Sequence, residues 1–127
     1  MNIRVYYEDT DTGGIVYHSN YLNFCERARS ERFFEKGLSP DLEDGGGFVV
    51  KKVIADYSRP AKLGDLLSVK NHLKSMKAAS FILTQSVYKD DVKLFEAEIV
   101  LAHVNKEGNP QKIPADLKEM ILSLFTC

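Results

Sequence analysis

The chain has 127 residues, with 17 basic and 18 acidic side chains and a formal net charge of -1. That length favours one domain, residues 1–127, able to bury a real core. The near balance of charge excludes the basic field of a nucleic-acid binder.

Ile3, Val5 and Tyr7 alternate with Asn2, Arg4 and Tyr6, the pattern of a first strand. The stretch Tyr6-Tyr7-Glu8-Asp9-Thr10-Asp11-Thr12-Gly13-Gly14-Ile15-Val16-Tyr17-His18-Ser19-Asn20-Tyr21 follows. It sets three acids, two glycines and a histidine between that strand and a long helix. Ser19 or Asn20 is placed to cap the helix, which runs from about Asn20 to Lys36 and stops at Gly37. Tyr21, Phe24, Cys25, Ala28 and Phe34 form its apolar face. Pro40 and three glycines make residues 38–47 a loop.

Four strand-like runs come next. Phe48 to Tyr57 carries Val49, Val53, Ala55 and Tyr57 on one face, and Leu66 to Lys74 carries Leu67, Val69 and Leu73. Ala79 to Lys89 carries Phe81, Leu83 and Val87. Val92 to Val104 is apolar on both faces and should be central. Met76 to Ala78 turns one pair, and Asp90-Asp91 suits a tight hairpin. Pro114 can open a last helix at its first position, with Leu117, Met120, Ile121 and Leu124 at helical spacing. The order predicts an α+β fold in two layers, an antiparallel five-stranded sheet around one long helix plus a short C-terminal helix. A single sheet leaves an edge that a second copy can cover.

Cys25 and Cys127 form neither a metal spacing nor a disulfide framework, which points to a reducing compartment. There is no apolar run of signal-peptide length and no transmembrane segment, so the expected place is the cytoplasm.

The Asp-Thr-Asp-Thr-Gly-Gly loop has several readings. It is made of ordinary turn residues. Asp9, Asp11 and Gly14 match the first, third and sixth places of an EF-hand loop, but the fifth is Gly13 and the twelfth is Asn20, where a bidentate Glu is needed. Asp9, Asp11 and His18 lack a second histidine for a transition metal, so no metal is expected. His72 and His103 fall in strands. No nucleophile elbow and no phosphate-binding glycine loop is present, and Cys25 sits mid-helix on the apolar face as an inert thiol. What remains is carboxylate chemistry from Asp11 or Asp9, facing the amides at a helix start. That arrangement suits acyl transfer, whose tetrahedral intermediate carries an oxyanion.

The run from Tyr6 to Tyr21, followed by Glu26-Arg27-Ala28-Arg29, resembles the YbgC-type acyl-CoA thioesterases of the 4-hydroxybenzoyl-CoA thioesterase class of hotdog proteins. The likeness is strongest over residues 4–32. It resumes at Asp56-Tyr57-Ser58-Arg59-Pro60-Ala61-Lys62-Leu63-Gly64-Asp65. It implies a curved sheet around a long helix, a dimer with a continuous sheet, often a dimer of dimers, and active sites at the dimer interface. It implies hydrolysis of acyl-CoA to a carboxylic acid and CoA without metal or cofactor, and a link to phospholipid metabolism and the Tol–Pal system. An acyl carrier protein is an alternative thiol carrier.

Carried over residue by residue, the catalytic aspartate falls on Asp11, as nucleophile or as general base, with Tyr7 and His18 beside it. The backbone around His18 would hold the carbonyl oxygen. Glu26 and Glu31 are available for the variant of the family with a helix glutamate, but the intact loop aspartate favours Asp11. Related enzymes hold the nucleotide with a basic turn between the third and fourth strands. Here that turn keeps Lys77 and departs at Ala78 and Ala79, which leaves Arg59 and Lys62 as further contacts for CoA. Tyr21 and Phe24 are pocket walls or core. Two rivals share the fold: a non-catalytic acyl-CoA or acyl-carrier binding module, and a dehydratase, whose chemistry usually wants a histidine with an acid on the long helix. This helix has no histidine.

Overall fold

A computed structural model describes residues 1–126, and Cys127 lies outside the described residues. The elements are β1 (Asn2–Arg4), α1 (Asn20–Phe34), β2 (Gly47–Tyr57), β3 (Leu66–Met76), β4 (Ser80–Lys89), β5 (Val92–Val104) and α2 (Ala115–Phe125). The strands form one antiparallel sheet in the order β1-β3-β4-β5-β2. The α+β hotdog architecture expected from the sequence is present. β5 is interior as predicted, paired on both sides, although β4 takes the middle place.

One face of the sheet is apolar and packs on α1. Phe81, Leu83 and Val87 of β4 and Phe95, Ala97, Ile99 and Leu101 of β5 are buried against Tyr21, Phe24, Cys25 and Ala28. Two polar strand residues share that face. Asn71 and Gln85 stand opposite each other on β3 and β4 and bond through their side chains. Gln85 Nε2 also donates to the Cys25 carbonyl at 2.8 Å, and Asn71 Nδ2 donates to the Ala28 carbonyl at 3.2 Å. Arg29 donates to Gln85 Oε1 at 3.3 Å, so the wholly buried Gln85 has both ends of its amide paired. The helix is thus fixed to the sheet by direction as well as by packing.

α2 closes the end of the core. Ile121, Leu124 and Phe125 are buried there, and the Phe125 ring lies 6.0 Å from Phe33. Arg32 of α1 donates through Nε to the Leu124 carbonyl at 2.8 Å, where a helix C-terminus is partially negative. No helix among the described residues is long and apolar enough to cross a membrane.

Several local expectations are corrected. β1 stops at Arg4, and Tyr7 begins a 3-10 turn, Tyr7–Asp9. Neither Ser19 nor Asn20 caps α1 through its side-chain oxygen: Ser19 already has helical backbone angles, φ -76° and ψ -15°, and makes no capping bond. The apolar face uses Phe33, which is buried, while Phe34 is 51% exposed. On β2 the register shifts between Val50 and Lys52, and an inserted residue reverses which side chains face inward. Phe48 and Val53 therefore pack inward, and Val49 is exposed. Pro114 stands at the N-cap of α2 rather than inside it. The Asp90-Asp91 turn is as expected, with Lys89 paired to Val92 and Asp90 in the left-handed region at φ 54°.

Candidate active site

The glycine loop is a small hairpin laid on the β2–β3 connection. Thr10 pairs with Val16, Ile15 pairs with Lys62, and Val16 N–H donates to the Ala61 carbonyl at 2.9 Å. Gly14 lets the tip turn: its φ is 79°, a conformation that side chains resist. Its N–H donates to the Asp11 carbonyl at 3.1 Å, and Asp11 N–H donates to the Ile15 carbonyl at 2.9 Å.

The two aspartates differ sharply. Asp9 is 4% exposed, and both of its oxygens are engaged. Oδ2 accepts the Tyr6 N–H at 2.9 Å, and Oδ1 accepts Asn20 Nδ2 at 2.8 Å. Its carbonyl also accepts the Tyr17 N–H at 2.9 Å. Asp9 therefore fastens the 3-10 turn to the first residue of α1. Asp11 is exposed and lines a cleft of about 410 Å³. Its Oδ1 accepts the Gly13 N–H at 2.8 Å, which fixes the carboxylate and leaves Oδ2 for other partners.

His18 lines the same cleft at the turn that enters α1. Its carbonyl accepts the Tyr57 hydroxyl at 2.7 Å, and its ring lies 4.5 Å from Tyr17 and 6.4 Å, edge-on, from Tyr57. Asn20 N–H donates to the Tyr17 carbonyl at 2.8 Å. No acceptor among the described residues takes the backbone N–H of His18 or Ser19. The floor is aromatic. Tyr21 stacks on Phe95 at 4.9 Å and meets Tyr57 edge-on at 5.5 Å. The Tyr21 hydroxyl accepts the Ala61 N–H at 3.1 Å. Burial pushes the phenols of Tyr21 and Tyr57 above their ordinary range, so both stay protonated at neutral pH. Phe24, the other wall expected from the sequence, is wholly core at 0% exposure.

Asp11, His18 and Arg59 are thus brought to one cleft. Tyr7 is not: it is 83% exposed and absent from the lining. Lys62 lies next to the cleft on the loop that supports it. Lys77 sits at the β3–β4 turn, at the far end of β3 from that loop, and does not line the cleft of its own protomer. Tyr57 is the site residue that sequence reasoning passed over as a strand aromatic. Its one signal is its place directly before Ser58-Arg59-Pro60, since its hydrogen-bond partner lies 39 positions away. Cys25 is fully buried, and burial pushes its thiol up to about 12, which makes it inert as expected.

Comparison with known proteins gives the family and the fold. Residues 5–121 match the Thioesterase-like superfamily. The acyl-CoA thioesterase YbgC of Helicobacter pylori is 40% identical, over 95% of this chain and 98% of its own. The acyl-CoA thioester hydrolase YbgC of Escherichia coli is 36% identical, over 92% and 93%. The crystal structure of a probable thioesterase from Bartonella henselae superposes with a TM-score of 0.84 at 35% identity, covering 90% of this chain and 97% of that one. From its sequence match, its sheet order and its relatives, the chain belongs to the Thioesterase-like superfamily, the hotdog thioesterases.

Proposed function

We propose that the protein is an acyl-CoA thioesterase that hydrolyses the thioester to a carboxylic acid and free CoA, with Asp11 as its carboxylate. The observation that carries this reading is the contrast within the loop: Asp9 is spent on structure, while Asp11 faces a cleft with one oxygen fixed and one open. The relatives named as acyl-CoA thioesterases supply the substrate class.

The chemistry follows from the elements. A thioester carbonyl seated above the start of α1 points its oxygen at the His18 and Ser19 amides, and the helix dipole adds a partial positive charge there. Asp11 then acts in one of two ways. As nucleophile it attacks the carbonyl carbon, the C–S bond breaks, CoA thiolate leaves and takes a proton, and water opens the mixed anhydride. As general base it takes a proton from the water that attacks. His18 orients the thioester at the rim. The Tyr57 hydroxyl holds the His18 backbone in place. Tyr7 stands outside the cleft of its own protomer, so a role for it requires a second copy.

The active form is a homodimer joined through β2, the longer of the two edge strands of the sheet. Val49, Val50 and Ile54 lie exposed on that strand, and Tyr57 at its end lines the cleft. A twofold about the middle of β2 therefore puts the second copy beside the site.

Thiol release from short, long and aromatic acyl-CoAs tests the proposal. Turnover of at least one, reduced about 100-fold in kcat/KM by His18→Ala, supports it, since the substitution keeps the backbone amide but removes the ring that positions the thioester, and lost positioning costs a factor of this order. Binding without thiol release from any member of the panel makes the protein a binding module instead.

A further inference from the structure

The turn that enters α1 is Tyr17, His18 and Ser19, and it carries six backbone polar groups, of which four are bonded. The Tyr17 N–H donates to the Asp9 carbonyl at 2.9 Å, the Tyr17 carbonyl accepts the Asn20 N–H at 2.8 Å, and the Ser19 carbonyl accepts the Leu22 N–H at 3.1 Å. The fourth is the His18 carbonyl, and its partner is a side chain of the sheet, the Tyr57 hydroxyl at 2.7 Å. No backbone N–H among the described residues donates to that carbonyl. The two groups left over are the His18 and Ser19 N–H, the donors free to meet an acceptor on a substrate.

The His18 carbonyl and the Ser19 N–H are the two ends of one peptide unit. That unit is planar and trans, so its C=O and N–H point in opposite directions. Whatever holds the carbonyl therefore also sets where the N–H points. In a regular helix a carbonyl is taken by the N–H four residues on. For His18 that is Leu22, whose N–H goes to Ser19 instead. The Tyr57 hydroxyl thus keeps the His18–Ser19 peptide out of the helical ladder. A hydrogen bond to one end of a peptide also polarises the other end, since bonds in a chain strengthen one another.

Tyr57 is itself fixed. It pairs with Phe95 across β2 and β5, and its ring meets Phe95 at 5.0 Å and Tyr21 edge-on at 5.5 Å. The next two residues, Ser58 and Arg59, both donate their N–H to the Leu94 carbonyl, at 2.8 and 3.1 Å. Partial burial holds the phenol above its ordinary range, so the hydroxyl keeps the proton it donates at neutral pH.

We propose that Tyr57 is a positioning residue for the reaction: by donating to the His18 carbonyl it aims the Ser19 N–H at the thioester oxygen and strengthens that donor as charge develops there. The assignment rests on the thioesterase reading of the cleft, in which the start of α1 receives the carbonyl oxygen. It goes beyond support of the turn, because it places the effect of Tyr57 on the transition state rather than on substrate binding.

Tyr57→Phe removes the hydroxyl and keeps a ring against Phe95 and Tyr21. In steady-state hydrolysis of the best acyl-CoA it is expected to lower kcat about tenfold, with KM within about twofold, because the donor stays in place but loses its aim, and loss of a whole donor costs about a hundred to a thousand. Tyr88→Phe, which removes a hydroxyl outside the cleft, leaves kcat unchanged. The second readout is the infrared carbonyl band of a bound ketone analogue, in which a methylene separates the carbonyl from the CoA sulfur. Wild type is expected to move this band to lower wavenumber than in water, and Tyr57→Phe to move it less. Equal kcat in wild type and Tyr57→Phe, a rise in KM in place of the fall in kcat, or the same band position in both proteins overturns the proposal and leaves the thioesterase reading intact. A wild type that releases thiol from no acyl-CoA overturns that reading, and this proposal with it.

Discussion

Two aspartates two positions apart differ in their hydrogen bonding: Asp9 has both oxygens engaged, and Asp11 has one. Asp9 satisfies the Tyr6 N–H and Asn20 Nδ2 from a buried position. Asp9→Ala leaves those donors without a partner and is expected to cost about 2–4 kcal/mol in urea unfolding. Asp11→Asn, at an exposed position, should change stability by less than about 1 kcal/mol. Gly13 matters for its lack of a side chain: a Cβ there lies 3.1 Å from Asp11 Oδ1. Gly13→Ala is therefore expected to lower kcat by displacing the carboxylate while the protein remains folded, as steady-state kinetics beside circular dichroism will show. The residue types alone left Asp9 and Asp11 open, because the burial of Asp9 depends on Asn20, eleven positions away, and the resemblance chose between them. Tyr7 misled for a related reason. The alternation from Ile3 reads as strand, but the Asp9 carboxylate captures the Tyr6 N–H, and the chain turns outward before Tyr7.

At the scale of elements, α1 is oriented by the Asn71–Gln85 pair, whose amides bond both to each other and to helix carbonyls. Gln85→Ala removes a wholly buried side chain and strands Asn71, with an expected cost of about 2–4 kcal/mol and a matching fall in Tm. The same packing shields Cys25. Its thiol is pushed up to about 12, so at pH 8 it is protonated, and raising the pH toward that value is what exposes the reactive thiolate. In a Cys127→Ser background, Cys25 is expected to stay unmodified by a thiol reagent at pH 8 until denaturant is added. Strands and helices were legible because apolar periods of two and of three to four set them. The misses, Phe34 for Phe33 and Val49 on the inner face of β2, fall where a charged residue occupies the helix stripe or an inserted strand residue shifts the phase. Arg32 illustrates the first case: it holds a core-side position because its guanidinium reaches the Leu124 carbonyl.

For the whole molecule, the fold puts the end of the edge strand β2, the glycine loop and the start of α1 side by side. Edge-to-edge pairing predicts a particle of at least twice 14.4 kDa by sedimentation. Val50→Asp combined with Ile54→Asp sets like charges across the twofold and is expected to yield monomers with kcat lowered about tenfold or more. The fold was readable from periodicity, but the contact between loop and β2–β3 connection was not, because it joins residues more than 40 positions apart. The central claim, that Asp11 carries the reaction, is tested most directly by kcat for Asp11→Asn on the best acyl-CoA of the panel. A loss of at least about 100-fold with unchanged thermal unfolding is the predicted result. A folded Asp11→Asn protein that releases CoA within a few-fold of the wild-type rate would contradict it.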